Sequence, residues 1–321
     1  MRLAISRVMA LLTFVVSAIL LLPTNDSVPR VQAPQPAPVA AILPIQVGEP
    51  LPWRREFFVR REQVVPLGAQ TLTVPILMYH YVRTPPSIRW DPLGFKLSVS
   101  PQDFGVQMSW LDANGFHPVD FNDIRAYFAG TRPLPPQPVI ITLDDGYKDL
   151  YTTAFPILSA HHFKAVAYIV SNFVDRHDYV TRAQVIELDR GGIQIASHTV
   201  DHADLARSSY GTVVFQVTQS KQWLEQLVGH PVLDFAYPSG KFTAQAIAAV
   251  KQAGYDTAVT TLTSTLHSQA DRYTWARVRV SGGETLAMFI GNLGPEMKVT
   301  TITTVDVQPV PPGAAMSGHP G

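Results

Sequence analysis

Asp144 and Asp145 stand side by side at the end of the run PVIITLDDG. Two carboxylates at the tip of an apolar segment repel each other unless something takes up one of the charges. Further along, SHTVDH places His198 and His202 four residues apart. On a helical turn that spacing puts both imidazoles on one face, within reach of a single ion. The same spacing also describes two surface histidines after a strand. Joined by Asp145, the pair makes a two-histidine, one-carboxylate set, which holds a divalent cation and leaves positions open for water and substrate. The paired aspartates then have separate jobs. Asp145 is a ligand, and Asp144 stays free to act as general base on a metal-bound water. Gly146 lets the chain turn sharply after them.

Composition narrows the chemistry. Lys+Arg and Asp+Glu are each 25 in 321 residues, so the formal net charge is zero. A nucleic-acid binder needs a basic surface, and this balance argues against one. There is no cysteine, which excludes disulfides, thiolate catalysis and cysteine-held metals. Any metal must sit on His, Asp, Glu or carbonyl groups, a donor set that suits zinc, manganese or cobalt.

The elements that must position these residues show as short apolar runs alternating with longer helical segments. The runs are VPILMYH, PVIITLDD, KAVAYIV, GIQIASH, LDFAYPSG and YDTAVTT. Between them, Phe104, Met108 and Leu111 share a helical face behind a Ser100 N-cap. An Ala-rich helix stops at Gly254, and a long one ends near Gly229. This alternation predicts an α/β fold with a parallel sheet, in all a (β/α) barrel. His80, Asp144, Asp145, His198 and the Tyr237–Gly240 turn all lie at the C-terminal ends of apolar runs. In such a barrel those ends converge on one rim.

Residues 1–23 read as a signal peptide or membrane anchor. Arg2 and Arg7 precede a run of roughly 15 apolar residues, short of the ~20 that a span needs. Cleavage near Ala33 and an uncleaved tether both remain open. Either way the chain is expected to be exported: secreted, cell-wall-associated or anchored on the outer face. Residues 24–71 form a Pro-rich linker and lead-in, 72–295 the domain, and 296–321 a flexible tail.

With these residues in view, TLDDGY resembles the first signature of the polysaccharide deacetylase family, the NodB homology group. HTVDH resembles its second and FAYPSGKF its third, in the right order, and the likeness covers about residues 74–293. The resemblance implies a distorted (β/α) barrel of seven or eight strands. It implies Asp144 as catalytic base and Asp145, His198 and His202 as ligands of a divalent metal, zinc first, with cobalt, manganese or nickel as alternatives. It also implies that the Tyr237 backbone N–H helps to stabilise a tetrahedral oxyanion. The reaction would remove N-acetyl groups from an N-acetylglucosamine-containing polysaccharide such as peptidoglycan, poly-N-acetylglucosamine or a chitin-like chain, by a protein expected to be monomeric.

The sequence departs from the family pattern in two places. No Arg precedes the Tyr-Pro pair, and no clean late Leu-x-His supplies a general acid. MYH resembles instead the exported subgroup acting on poly-N-acetylglucosamine or peptidoglycan, where an early strand-end histidine can protonate the leaving amine. His80 is therefore the favoured acid and His267 the second choice. Arg277, in ARVRV, either orients Asp144 through a charge-assisted bond or is a surface arginine at a strand end. Tyr147, Pro238 and Trp90 are the expected substrate contacts; Trp110, Trp223 and Trp275 belong to the core or stack on sugars. Two rival readings stay open: an O-deacetylase or other amide hydrolase, and a non-catalytic glycan-binding wall protein.

Overall fold

The computed structural model describes residues 71–294. The N-terminal segment, the linker and the C-terminal tail, on which the export, tether and disorder expectations rest, lie outside the described residues. Seven runs form parallel strands: β1 (Ile76–Tyr79), β2 (Pro138–Asp145), β3 (Ala165–Ile169), β4 (Ile193–Ser197), β5 (Asp234–Ala236), β6 (Thr257–Val259) and β7 (Val278–Arg279). β2 is buried along its whole length, as expected of a parallel strand covered on both faces.

The sheet runs β6-β5-β4-β3-β2-β1-β7, with His117–Pro118 pairing beside the start of β2. Its two ends are drawn together by the segment leading into β7. Ala258 N–H donates to Arg272 O at 2.8 Å, and Thr260 N–H to Trp275 O at 2.8 Å. The result is a curled parallel half-barrel of seven strands: the alternation predicts the barrel, and its distortion is what the resemblance implies.

Strand periodicity divides the core in two. Ile140, Val166, Tyr168, Ala196, Ala236 and Val259 fill the barrel with Trp275. Val139, Ile141, Leu143, Ala167 and Ile169 face the surrounding helices. Those helices start and stop where local chemistry requires. In α1 (Pro101–Ala113) the Ser100 hydroxyl accepts Asp103 N–H at 3.0 Å. The long helix Tyr210–Val228 ends at Gly229, whose φ of 81° is left-handed. Trp110 and Trp275 are core residues, 1% and 2% exposed, which settles two of the three tryptophans left open between core and sugar.

The barrel floor is closed by the helix Phe121–Phe128, which inserts Phe121, Ile124 and Tyr127. Asp234, wholly buried at the start of β5, anchors it. Arg125 binds Asp234 at 2.8 and 3.1 Å, Gln194 donates at 2.7 Å, and Thr257 adds a short hydroxyl bond. Removing one partner of a buried pair leaves the others unsatisfied. Asp234→Ala is therefore expected to destabilise the domain by about 3 kcal/mol, read as a lower urea midpoint at constant slope. A loss below about 1 kcal/mol, the worth of one ordinary hydrogen bond, would mean that this cluster does not hold the floor.

Candidate active site

At the opposite mouth the strand tips deliver the reactive side chains. Asp145 Oδ1 lies 3.4 Å from His198 Nε2 and 3.4 Å from His202 Nε2. Two ligand bonds of about 2.0–2.1 Å meeting near the tetrahedral angle separate their donor atoms by about 3.4 Å. The same oxygen is buried without a hydrogen-bond partner, a state that a bound cation would relieve. His198 Nδ1 lies 2.8 Å from Ala236 O. Donation there leaves the Nε2 lone pair facing Asp145, the usual support for a metal-ligating histidine. The donor set thus fits a divalent cation.

Strand alternation alone would not bring both aspartates to this mouth. Ile140, Thr142 and Asp144 share one face of β2, and Asp145 falls on the other. At Asp145 the chain turns left-handed, φ 73°, and this re-aims its carboxylate. Thr199 (70°), His202 (57°) and Ser239 (55°) share that conformation, which costs a non-glycine residue about 1–2 kcal/mol. Such strain gathers at functional sites.

The expected helical turn across SHTVDH is therefore corrected. Residues 198–204 form a non-helical turn, because backbone bonds to the neighbouring loop outcompete a helix. Ser171 N–H donates to Thr199 O at 3.1 Å and Asn172 N–H to Val200 O at 2.9 Å. Buried Gln216, on the long helix Tyr210–Val228, completes the clamp: its Oε1 accepts Val200 N–H and Asp201 N–H, both at 3.0 Å. Gln216→Leu is expected to weaken cation affinity about 10- to 100-fold, measured by chelator competition. Unchanged affinity would show that His202 needs no such support.

Asp144 is held by Arg277. The guanidinium reaches both carboxylate oxygens at 2.7 Å, Thr142 Oγ1 at 3.0 Å and Thr260 O at 2.9 Å. Arg277 is 1% exposed, so the surface alternative is excluded. Burial by itself would push the Asp144 carboxyl up; the Arg277 charge and hydrogen bonds outweigh it and hold the group below the ordinary carboxylate range. Burial likewise opposes the ionisation of Asp145, and the neighbouring histidines more than offset it. His80 follows β1, and its Nε2 lies 3.9 Å from Asp144 Oδ2. Burial lowers His80 below its ordinary value, with Asp144 and Asp145 pulling the other way.

Other expected site residues stand differently. The Tyr237 N–H donates to Val259 O at 3.1 Å, so barrel pairing engages the amide assigned to an oxyanion. On the same turn Ser239 N–H has no partner among the described residues. Pro238 is buried as the first residue of that turn, shaping it rather than presenting a surface. Tyr147, half-buried, stacks on Tyr81 (centroids 3.5 Å apart) and on Tyr179 (5.2 Å). Trp90 is 79% exposed beside Ile88 and Leu93. No hydrogen bond or ring contact among the described residues joins it to the cluster.

His267 lies away from the cluster. It pairs with Leu72, ahead of β1, and its Nε2 bonds Val74 O at 3.0 Å, at the barrel end opposite His80. Burial pushes its imidazole down to about 4. Gln216 and Tyr179 were not readable as site residues. Tyr179 pairs with Tyr147 across an antiparallel bridge, a contact with no local motif.

Comparisons with known proteins agree with this geometry. Residues 131–258 match the family model described as "Polysaccharide deacetylase". Over 210 residues the chain is 28% identical to YxkH of Bacillus subtilis (strain 168), a polysaccharide deacetylase by name, covering 65% of this chain and 72% of that one. It is 29% identical over 203 residues to the poly-beta-1,6-N-acetyl-D-glucosamine N-deacetylase of Escherichia coli (strain K12), covering 50% of this chain but only 30% of that protein. The solved Streptococcus pyogenes deacetylase PplD, in complex with acetate, superposes with a TM-score of 0.65 at 23% identity, over 70% of this chain and 99% of that one; at that identity the likeness is one of fold. With the seven-strand barrel and the Asp145, His198 and His202 group in place, residues 131–258 carry a match to the polysaccharide deacetylase family, and the chain is similar to proteins of that name.

Proposed function

We propose that this protein is a metal-dependent hydrolase that removes N-acetyl groups from an N-acetylglucosamine-containing polysaccharide. The observation that carries the reading is the gathering of Asp145, His198 and His202 around one point, with an Arg277-held Asp144 beside them. A divalent cation held there, zinc first, would supply Lewis-acid polarisation and an activated water. Asp144 takes the proton of the attacking water. Arg277 keeps that carboxylate ionised and aimed. His80 gives a proton to the departing amine as the C–N bond breaks, leaving acetate and a free amino sugar. The Ser239 amide replaces that of Tyr237 as the backbone donor for the oxyanion, and Trp90 offers an exposed face for a sugar ring.

The E. coli relative acts, by name, on poly-β-1,6-N-acetyl-D-glucosamine, which supports an acetamide sugar as the reacting unit without fixing the chain that carries it. Peptidoglycan and chitin-like chains carry the same acetamide. Export, with or without a membrane tether, and a monomeric state belong to the same proposal. Among the described residues no helix is long and apolar enough to cross a membrane.

The test is acetate release from poly-β-1,6-N-acetylglucosamine, peptidoglycan and chitin oligomers, before and after chelation and with zinc, cobalt, manganese or nickel restored. Release that disappears on chelation and returns with metal is expected. Release only from O-acetylated chains would support the O-deacetylase reading. Glycan binding without any release would support the wall-protein one.

A further inference from the structure

Arg279 has no role in the account above. It lies on β7 in register with Met78 of β1, the strand that runs into His80. Val278 and Val280 on either side pack against the outer core. Arg279 therefore shares the inward face with Arg277, two residues or about 6.6 Å nearer the mouth. Its backbone is fixed: Val280 N–H donates to Met78 O at 3.1 Å, and Gly282 packs so tightly under Phe95 O that a side chain there would clash.

Among the described residues Arg279 has no ion pair or hydrogen bond. Asp144, the carboxylate whose charge acts on Arg279, has both oxygens occupied by Arg277. Arg279 is exposed to solvent at the rim; its partial burial and the like charge of Arg277 both work against its protonated form, and Asp144 opposes them. In the mouth Asp144 and Arg277 cancel; with a divalent cation on Asp145, His198 and His202, Asp145 would offset only half of its charge, and with Arg279 the excess would be positive, a field that attracts anions. A neutral acetamide sugar has nothing to offer it.

We propose that Arg279 is an anion subsite of the substrate cleft, taking a carboxylate carried by the saccharide beside the acetamide to be cleaved. The inference rests on the deacetylase reading and names a substrate class within it: N-acetyl sugars bearing a carboxylate, in preference to neutral chains. A planar guanidinium grips a carboxylate in two bonds, and such contacts are worth about tenfold or more in affinity. Free acetate, the reaction's own product, carries the same group and is the other source of the anion.

The test compares diacetylchitobiose with a disaccharide of N-acetylglucosamine and N-acetylmuramic acid, whose lactyl ether carries a carboxylate, and with sodium acetate. Calorimetric binding and acetate release are both followed, for the wild type, Arg279→Gln and Arg279→Lys. The wild type is expected to favour the carboxylated sugar about tenfold over the neutral one, less so in high salt. Arg279→Gln abolishes that preference and Arg279→Lys keeps part of it. Equal handling of the two sugars by the wild type overturns the proposal, as does a preference that survives Arg279→Gln, or an Arg279 effect seen with acetate but not with the sugar. If no glycan releases acetate, the deacetylase reading fails, and the binding comparison still decides the role of Arg279.

Discussion

Asp145→Asn is expected to lose the bound cation and at least about 10³-fold of acetate-releasing activity, since Lewis-acid stabilisation is worth several kcal/mol. Asparagine is the informative replacement because it tolerates the left-handed conformation at φ 73°. Alanine there would add strain and confuse the result. Asn keeps the shape but removes the charge, and a neutral amide is a poor ligand beside two neutral imidazoles. The apo protein should be no less stable than the wild-type apo form, because one of two adjacent carboxylates has gone. The measurements are metal content after dialysis, acetate release and thermal midpoint with chelator present. A variant that keeps its metal and more than a tenth of its activity would remove Asp145 from the ligand set.

Asp144→Asn is expected to keep the cation and lower kcat by about 10²- to 10⁴-fold, the usual worth of a positioned proton acceptor. The direction of the wild-type shift supplies a second readout. The Asp144 carboxyl is depressed because Arg277 outweighs burial. Its folded value thus lies below the unfolded one of about 3.9. The stability that it contributes is present above that pH and disappears as the pH falls through the folded value. Arg277→Met removes the main offset and leaves burial opposed only by His80 and His198, so the carboxyl rises and the acid limb of kcat/KM moves to higher pH. An uncompensated buried charge also costs about 3–5 kcal/mol, so the profile is recorded well below the lowered melting point. Full activity in Asp144→Asn, or an unmoved acid limb in Arg277→Met, would assign the proton transfer elsewhere.

The amino-acid sequence by itself determined which elements form and which residues end them. PVIITLDD, GIQIASH and LDFAYPSG became strands β2, β4 and β5 with Asp144, Asp145, His198 and Tyr237 at their tips. Both periodicity and caps are local, carried by neighbouring residues whose preferences add along the chain. Tertiary structure decided how those tips are aimed. The side of β2 to which Asp145 turns, the non-helical turn under His202 and the engagement of the Tyr237 amide by Val259 depend on contacts made across the fold. So does the pairing of Asp144 with Arg277, 133 residues away, which turned an arginine of undecided role into the partner of the candidate base. Gln216 and Tyr179 carry no local mark at all. The physical reason is that left-handed residues and buried ion pairs are locally unfavourable, so no short-range preference announces them; only the packed barrel, with its hydrogen bonds satisfied, makes them the lowest state.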